Sequence, residues 1–186
     1  MADTFNHRVQ VLAKSGEFVR TIGVTGQGGN GNHQFKYPNG VCVEPGAGGL
    51  LYVTDTGNHR VQVFTEEGQY VRTLGVTGYC GSGNNQFHFP DGVYAEPGPD
   101  GKVWVADPRN NRIQIFDKEG KYVRTFGGSD NFGPESVYVE VGSSIVYALG
   151  RKGFENYQLR VFTKDGVHVD TPWEASGSFF AGAYMC

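Results

Sequence analysis

The chain is poor in cysteine, has no long apolar run and carries no excess of positive charge. Its 186 residues include three cysteines, Cys42, Cys80 and Cys186, with no Cys-x-x-Cys pair. An odd number without that spacing argues against a disulfide framework or a thiolate zinc site, and a reduced, cytoplasmic setting fits. No stretch approaches the roughly 18 apolar residues that cross a bilayer. The opening MADTFNHRVQ lacks the basic and then apolar regions of a secretory signal, so membrane insertion is not expected. Lys and Arg number 16 against 19 Asp and Glu, a formal charge of −3. That balance argues against a broad phosphate-binding surface, and nucleic acid is not the expected partner. His-x-His and His-Glu-x-x-His spacings are missing too, which removes the common catalytic zinc motifs.

What the chain has is glycine, aromatics and repetition. Its 29 glycines and 13% aromatic residues, mixed with β-branched runs, are the composition of an all-β protein with many tight turns. DTFNHRVQVLAKSGEFVRTIGVTG begins at Asp3, DTGNHRVQVFTEEGQYVRTLGVTG at Asp55 and DPRNNRIQIFDKEGKYVRTFGG at Asp107, so the unit recurs at intervals of 52 residues. A period of this size marks an array of one supersecondary unit. It also means that a residue present in every copy serves the unit.

Four short runs recur in order within each unit. The first is GVCVEP, GVYAEP or SVYVEV, and the second is LLYVTD, KVWVAD or IVYALG. The third, RVQVF or RIQIF with LRVF as the divergent copy, alternates with period 2 and predicts a half-buried strand with Arg60 and Gln62 on its polar face. The fourth is QYVRTLG or KYVRTFG, joined to the third by tight turns ending in glycine. Polarity rises from the first run to the fourth, as in a four-stranded antiparallel meander with a buried inner edge. Such sheets bury too little alone and pack radially, which predicts a β-propeller. The loops between units, GVTGQGGNGNHQF and GVTGYCGSGNNQF, both close on Gln-Phe, with Phe35 and Phe87 expected to anchor the next unit.

The segments FKYPNGVCV, YVTDTGNHRVQVF and GQYVRTLG resemble the NHL repeat, with Asn58-His59-Arg60 and Asn6-His7-Arg8 at its eponymous triplet. The resemblance covers nearly the whole chain, is specific from Asp3 to Gly127 and weakens after Gly150. It implies a β-propeller, usually six-bladed, and a binding module found in ubiquitin-ligase-type proteins, RNA regulators and scaffolds, occasionally an enzyme. The chain reads as one domain, with units at about 1–34, 35–86, 87–131 and 132–175, and 176–186 starting another inner strand. That is about four blades' worth. Either the termini share a blade in a four-bladed ring, or the chain is part of a larger, six-bladed propeller completed by self-association or by another chain.

The repeated Asp3, Asp55 and Asp107 and the repeated Arg8, Arg60 and Arg112 read as framework: the Asp for a side-chain-to-backbone turn, the Arg to pair with that Asp or with a neighbouring blade, or to cover apolar surface with its stem. Copies differ at Asn39, Asp91 and Glu135, just after the inner-strand proline or its equivalent. Three oxygen-bearing side chains at a channel mouth are a candidate site for a hard cation such as Ca²⁺, although no cofactor is the primary expectation. Enzymes resembling this repeat, of the peptidyl-hydroxyglycine lyase type, place metal-binding histidines at such positions, and here there are none. On the loop face Tyr79, Phe132, Trp173, His33 and Asn85 are candidate partner contacts. The leading expectation is a non-catalytic protein-binding or scaffold module whose contact surface is centred on loops 26–34, 78–86 and 128–133. The alternatives are a metal-dependent lyase or hydrolase using Asn39, Asp91 and Glu135, and an RNA-binding module using the outer-strand stripe Arg20, Arg72 and Arg124.

Overall fold

The computed structural model describes residues 1–46, 48–128, 131–153 and 156–169. The first sheet holds β1 (Ala2–Asp3), β2 (Arg8–Leu12) and β3 (Phe18–Gly23), and the second β4 (Pro38–Val43), β5 (Leu51–Asp55), β6 (Arg60–Phe64) and β7 (Tyr70–Gly75). The third holds β8 (Val93–Ala95), β9 (Val103–Asp107), β10 (Arg112–Phe116) and β11 (Tyr122–Gly127), and the fourth β12 (Phe132–Val139), β13 (Ile145–Lys152), β14 (Asn156–Thr163) and β15 (His168–Val169). Within each sheet the strands lie in chain order and every neighbour is antiparallel. The four sheets are consecutive blades of a β-propeller. The first lacks an inner strand among the described residues, and its second strand is reduced to Ala2–Asp3.

The hydrophobic core lies between the blades. One cluster (Val9, Ile22, Phe35, Leu51, Val53 and Phe64) joins the first blade to the second. A larger one, including Leu74, Phe87, Trp104, Phe116, Val137 and Phe162, runs through the second, third and fourth. Inner strands also meet directly: Gly40 N donates to Asp91 O at 3.1 Å, and Thr54 Oγ1 donates to the same oxygen at 2.7 Å. At the rim, Arg20 Nη1 donates to Glu66 O at 2.9 Å, Arg72 Nη1 donates to Lys118 O, and Arg124 pairs with Asp165 at 3.7 Å. The outer-strand stripe is thus a set of ties, each reaching the hairpin of the next blade.

The structure corrects the third-run reading. All of β6 and β10 is buried, including Arg60 (1% exposed) and Gln62 and Gln114 (0%). Alternation marked two chemically different faces, not one wet and one dry. The polar face is covered by the preceding inter-blade loop, whose backbone carbonyls accept from these side chains.

Phe35 and Phe87 are fully buried under the loops, as expected, and seat against Phe64 and Phe116 at ring distances of 5.7 Å in both blades. Each lies beneath a left-handed glycine. A Cβ on Gly75 (φ 97°) would stand 2.8 Å from the Phe87 ring and 2.9 Å from His59 O. Gly75→Ala should therefore destabilise the protein by about 2 kcal/mol, against about 1 kcal/mol for Gly78→Ala, where only the positive φ opposes the change. Urea unfolding of both variants checks the difference.

Candidate functional site: the channel-mouth face

In the first three blades the second strand ends in an aspartate followed by one 3-10 turn, and the residue closing that turn is left-handed: His7 (φ 55°), His59 (57°) and Asn111 (54°). Asparagine and histidine tolerate this conformation better than most side chains. The His-to-Asn change between copies therefore follows the backbone, not metal chemistry. The two histidines face the aromatic residue that precedes the next inner-strand proline. Tyr37 N donates to His7 Nδ1 and Phe89 N to His59 Nδ1, both at 3.1 Å, with ring pairs at 4.7 and 4.5 Å. Tyr37 (φ 52°) and Phe89 (φ 56°) are themselves left-handed, a conformation that costs a bulky residue roughly 1–2 kcal/mol. Both remain exposed, at 45% and 42%. Phe5 stands beside Tyr37 at 6.4 Å. In the third blade Asn111 faces Gly133 instead. Two strained aromatics thus stand on the face that also carries the 3-10 turns and the inter-blade loops.

Inside this rim lies an open cleft of about 630 Å³, lined in part by Phe89, Asp91, Arg109, Glu135 and Arg151. Asp91 and Glu135 line this cleft, and Asn39 meets it through Asp91. Asn39 Nδ2 donates to Asp91 Oδ1, and Glu135 pairs with Arg151 at 2.9 Å. One oxygen of Asp91 and one of Glu135 are thus taken by protein donors, and among the described residues no group of three or more His, Cys, Asp or Glu could hold a metal ion. Burial, with the Glu135 charge second, pushes the Asp91 carboxyl up to about 7, against the Asn39 hydrogen bond and Arg151. The site can present one near-neutral carboxyl, a guanidinium ion pair and flanking aromatic surface.

The other expected contacts fare unevenly. Tyr79 is 56% exposed on its loop. Phe132 is buried at 4%, with the Arg160 guanidinium 4.3 Å from its ring centroid, and is a core residue rather than an anchor. Asn85 is also framework, because its Oδ1 accepts from Gly75 N at 2.8 Å while its own N–H donates to Gln114 Oε1 at 3.1 Å. His33 is exposed but packs edge-on against Phe64 and accepts from Tyr70 N at 3.4 Å. Trp173 lies outside the described residues. Tyr37 and Phe89 were missed because FKYP and FHFP read as the approach to a buried strand. Their spacing of one repeat, each directly before proline, was the available signal.

The repeated Asp, Asn and Arg form one network in each of the first three blades. In the second, Asp55 accepts from Asn58 Nδ2 (2.9 Å), Arg60 Nε (2.8 Å) and Gln62 Nε2 (3.2 Å), and from Lys36 N (2.6 Å). Asp107 repeats this with Asn110, Arg112 and His88 N. These residues are framework in all three copies. No helix is long and apolar enough to cross a membrane among the described residues.

Residues 35–64 match the model of the NHL repeat. The chain is 31% identical over 129 residues to the protein brain tumor of Drosophila melanogaster, covering 69% of this chain and 11% of that protein. It is 29% identical over 115 residues to human NHL repeat-containing protein 3, covering 62% and 33%. It thus spans about a tenth and a third of the length of these two curated relatives. Among solved structures, virginiamycin B lyase from Staphylococcus aureus aligns with a TM-score of 0.60 at 16% identity, covering 92% of this chain and 50% of that one. A streptogramin B lyase aligns at 0.61 and 19%, covering 91% and 49%. At such identity the likeness concerns the fold alone. The matched unit, repeated on either side of residues 35–64 with its Asp–Arg network intact, makes the chain a member of the NHL-repeat family.

Proposed function

We propose that this chain is a non-catalytic propeller module that binds a protein partner on its channel-mouth face, with Tyr37 and Phe89 as anchors. The observation that carries the reading is that two bulky aromatics at equivalent positions stay exposed in an unfavourable left-handed backbone. Rigid aromatics on a fixed frame are what partner-binding hot spots use. The long loops 26–34 and 78–86, expected to be the contact surface, turn backbone carbonyls to Arg60, Gln62, Arg112 and Gln114 and keep Tyr79 exposed, so they flank the anchors on this reading. The exposed thiol of Cys80 and the buried thiol of Cys42 fit a reducing, cytoplasmic setting.

Tyr37→Gly and Phe89→Gly keep the left-handed backbone available while removing the rings. Together they should weaken partner capture at least about tenfold with circular dichroism unchanged. An identical set of captured proteins for the double variant would sink the reading. The rival is a metal-dependent lyase or hydrolase at Asn39, Asp91 and Glu135, as the lyase neighbours suggest by fold. It requires Ca²⁺ or Zn²⁺ to raise the melting temperature of the protein but not of Asp91→Asn. The cleft's carboxyl with raised affinity for a proton favours it, and the Glu135–Arg151 pair opposes it.

A further inference from the structure

Two histidines of this chain accept backbone hydrogen bonds, and what they hold is strained. The donors are Tyr37 N to His7 Nδ1 and Phe89 N to His59 Nδ1, both at 3.1 Å. Each donor residue is left-handed and directly precedes a proline. A position before proline is pushed towards extended backbone, and a bulky side chain in the left-handed region is unfavourable besides. Against that preference stand the hydrogen bond and a ring contact, 4.5 Å between His59 and Phe89 and 4.7 Å between His7 and Tyr37. A ring nitrogen that accepts an N–H carries no proton itself, so this geometry assigns both imidazoles to the neutral form with the proton on Nε2.

The third junction uses neither half. Asn111, which does not titrate, stands in the histidine's place. Gly133, in place of the aromatic residue before proline, lies outside the left-handed region. Imidazole acceptor and left-handed aromatic therefore come and go together.

Protonation of Nδ1 would turn the acceptor into a donor facing another donor. The His59 ring is faced by His88, at 6.0 Å between centroids, and by Lys36, Asp55 and Asp107. From the inter-blade loop comes Cys80, at the repeat position of Gly28, whose Cβ would stand 3.4 Å from His7 Nε2. The His7 ring is faced by Tyr37 and Gly28. Burial, followed by His88 and Lys36, holds the His59 imidazole below its ordinary value of 6.5, with Asp107 and Asp55 opposing. Between the lowered and the ordinary value the folded chain binds fewer protons than the unfolded one. The arrangement is thus fully held above about pH 6.5 and loses stability as pH falls through the His59 value.

We propose that His59 is an acid-sensitive latch on Phe89, and His7 its twin on Tyr37: protonation of the imidazole releases the aromatic residue from its left-handed conformation into an extended one. The consequence, a weaker grip on a partner at acid pH, rests on the reading of Tyr37 and Phe89 as anchors. The latch itself does not.

The test is amide hydrogen exchange, followed by NMR on the full chain from about pH 7.5 to about pH 5 and corrected for the intrinsic rate at each pH. Protection of the Phe89 N–H should fall about tenfold or more as the His59 ring titrates. The amide of Val105, buried in the middle of β9, should stay protected and so report an intact blade. In His59→Asn, which keeps a residue tolerant of the left-handed turn, Phe89 protection should no longer follow pH, while Tyr37 still responds. His88→Asn removes a neighbouring positive charge and should move the Phe89 response to higher pH, a shift that misfolding cannot mimic. Phe89 protection that stays constant while the His59 ring titrates would overturn the proposal. An equal loss in His59→Asn would do the same. Phe89 opening with partner capture unchanged would uphold the latch and remove Phe89 as an anchor, which keeps the two readings separate.

Discussion

Arg60→Ala is expected to lower the melting temperature by about 10 °C or more, while Arg8→Ala, the same residue one repeat earlier, shifts it by no more than about 2 °C. The two arginines make the same Nε contact with the same aspartate, at 2.8 and 2.7 Å. What differs is what covers them. The Arg60 and Asp55 side chains are 2% and 0% exposed, and Arg8 and Asp3 are 23% and 22%. Removing Arg60 leaves a buried carboxylate without its charge partner and takes one donor each from the carbonyls of Gly31 and Gln34, which keep only Gln34 N and Gln62 Nε2. Breaking a buried pair of this kind costs about 3–5 kcal/mol. The ionisation of the two aspartates shows the same contrast. Burial pushes the Asp55 carboxyl up, with the Lys36 N–H and the Asn58 and Arg60 side chains pulling it back, whereas the Arg8 hydrogen bond holds the Asp3 carboxyl down. Thermal melts of both variants decide the matter: equal shifts would mean that the covering inter-blade loop contributes nothing to the value of the pair.

Asp91→Asn should stabilise the protein on the order of 3 kcal/mol at about pH 8 and hardly at all near pH 4. In the folded chain burial and the nearby Glu135 raise this carboxyl to about 7 from an ordinary value of 3.8. Between those values the folded state keeps a proton that the unfolded chain has lost. The number bound is larger in the native state, so this group's contribution to stability falls as pH rises from about 4 to about 7, then levels. Asparagine keeps an acceptor for Asn39 Nδ2 without the buried charge. Asp3, Glu67 and Glu96 work in the opposite sense, because their lowered values favour folding as pH rises. The informative quantity is therefore the difference between the wild-type and Asp91→Asn curves from denaturant unfolding. Parallel curves would remove Asp91 from the pH response and weaken any role for it as a proton-exchanging group in the cleft.

The blade was readable before any coordinates because each of its signals is local. Period-2 runs, glycine turns at fixed offsets and a 52-residue interval each depend on residues close in sequence, and three copies confirm one another. The same comparison identified Asp55 and Arg60 as framework and Phe35 and Phe87 as anchors. It failed where burial depends on a neighbouring blade. Gln62 and Arg60 looked like a solvent-facing stripe because nothing in RVQVF announces that the carbonyls of Gly31 and Gln34 will cover it. Phe132 looked like a loop aromatic, yet β12 starts at that residue and draws it into the core. Arg20, Arg72 and Arg124 looked like a basic stripe, yet each is used on the hairpin of the next blade.

By itself the sequence determined the repeat, the strand order within a blade, the framework role of the repeated aspartate and arginine and the family, since these follow from pattern and spacing along one chain. Tertiary structure alone decided which faces are dry and which aromatics, Tyr37 and Phe89, stay exposed. It also brought Asn39, Asp91 and Glu135 together and tied Arg60 and Arg112 to the loops that cover them. The physical reason is that burial and hydrogen-bond satisfaction belong to pairs of blades. A residue's neighbours across a blade interface lie some 20 to 50 positions away, where no local period reports them.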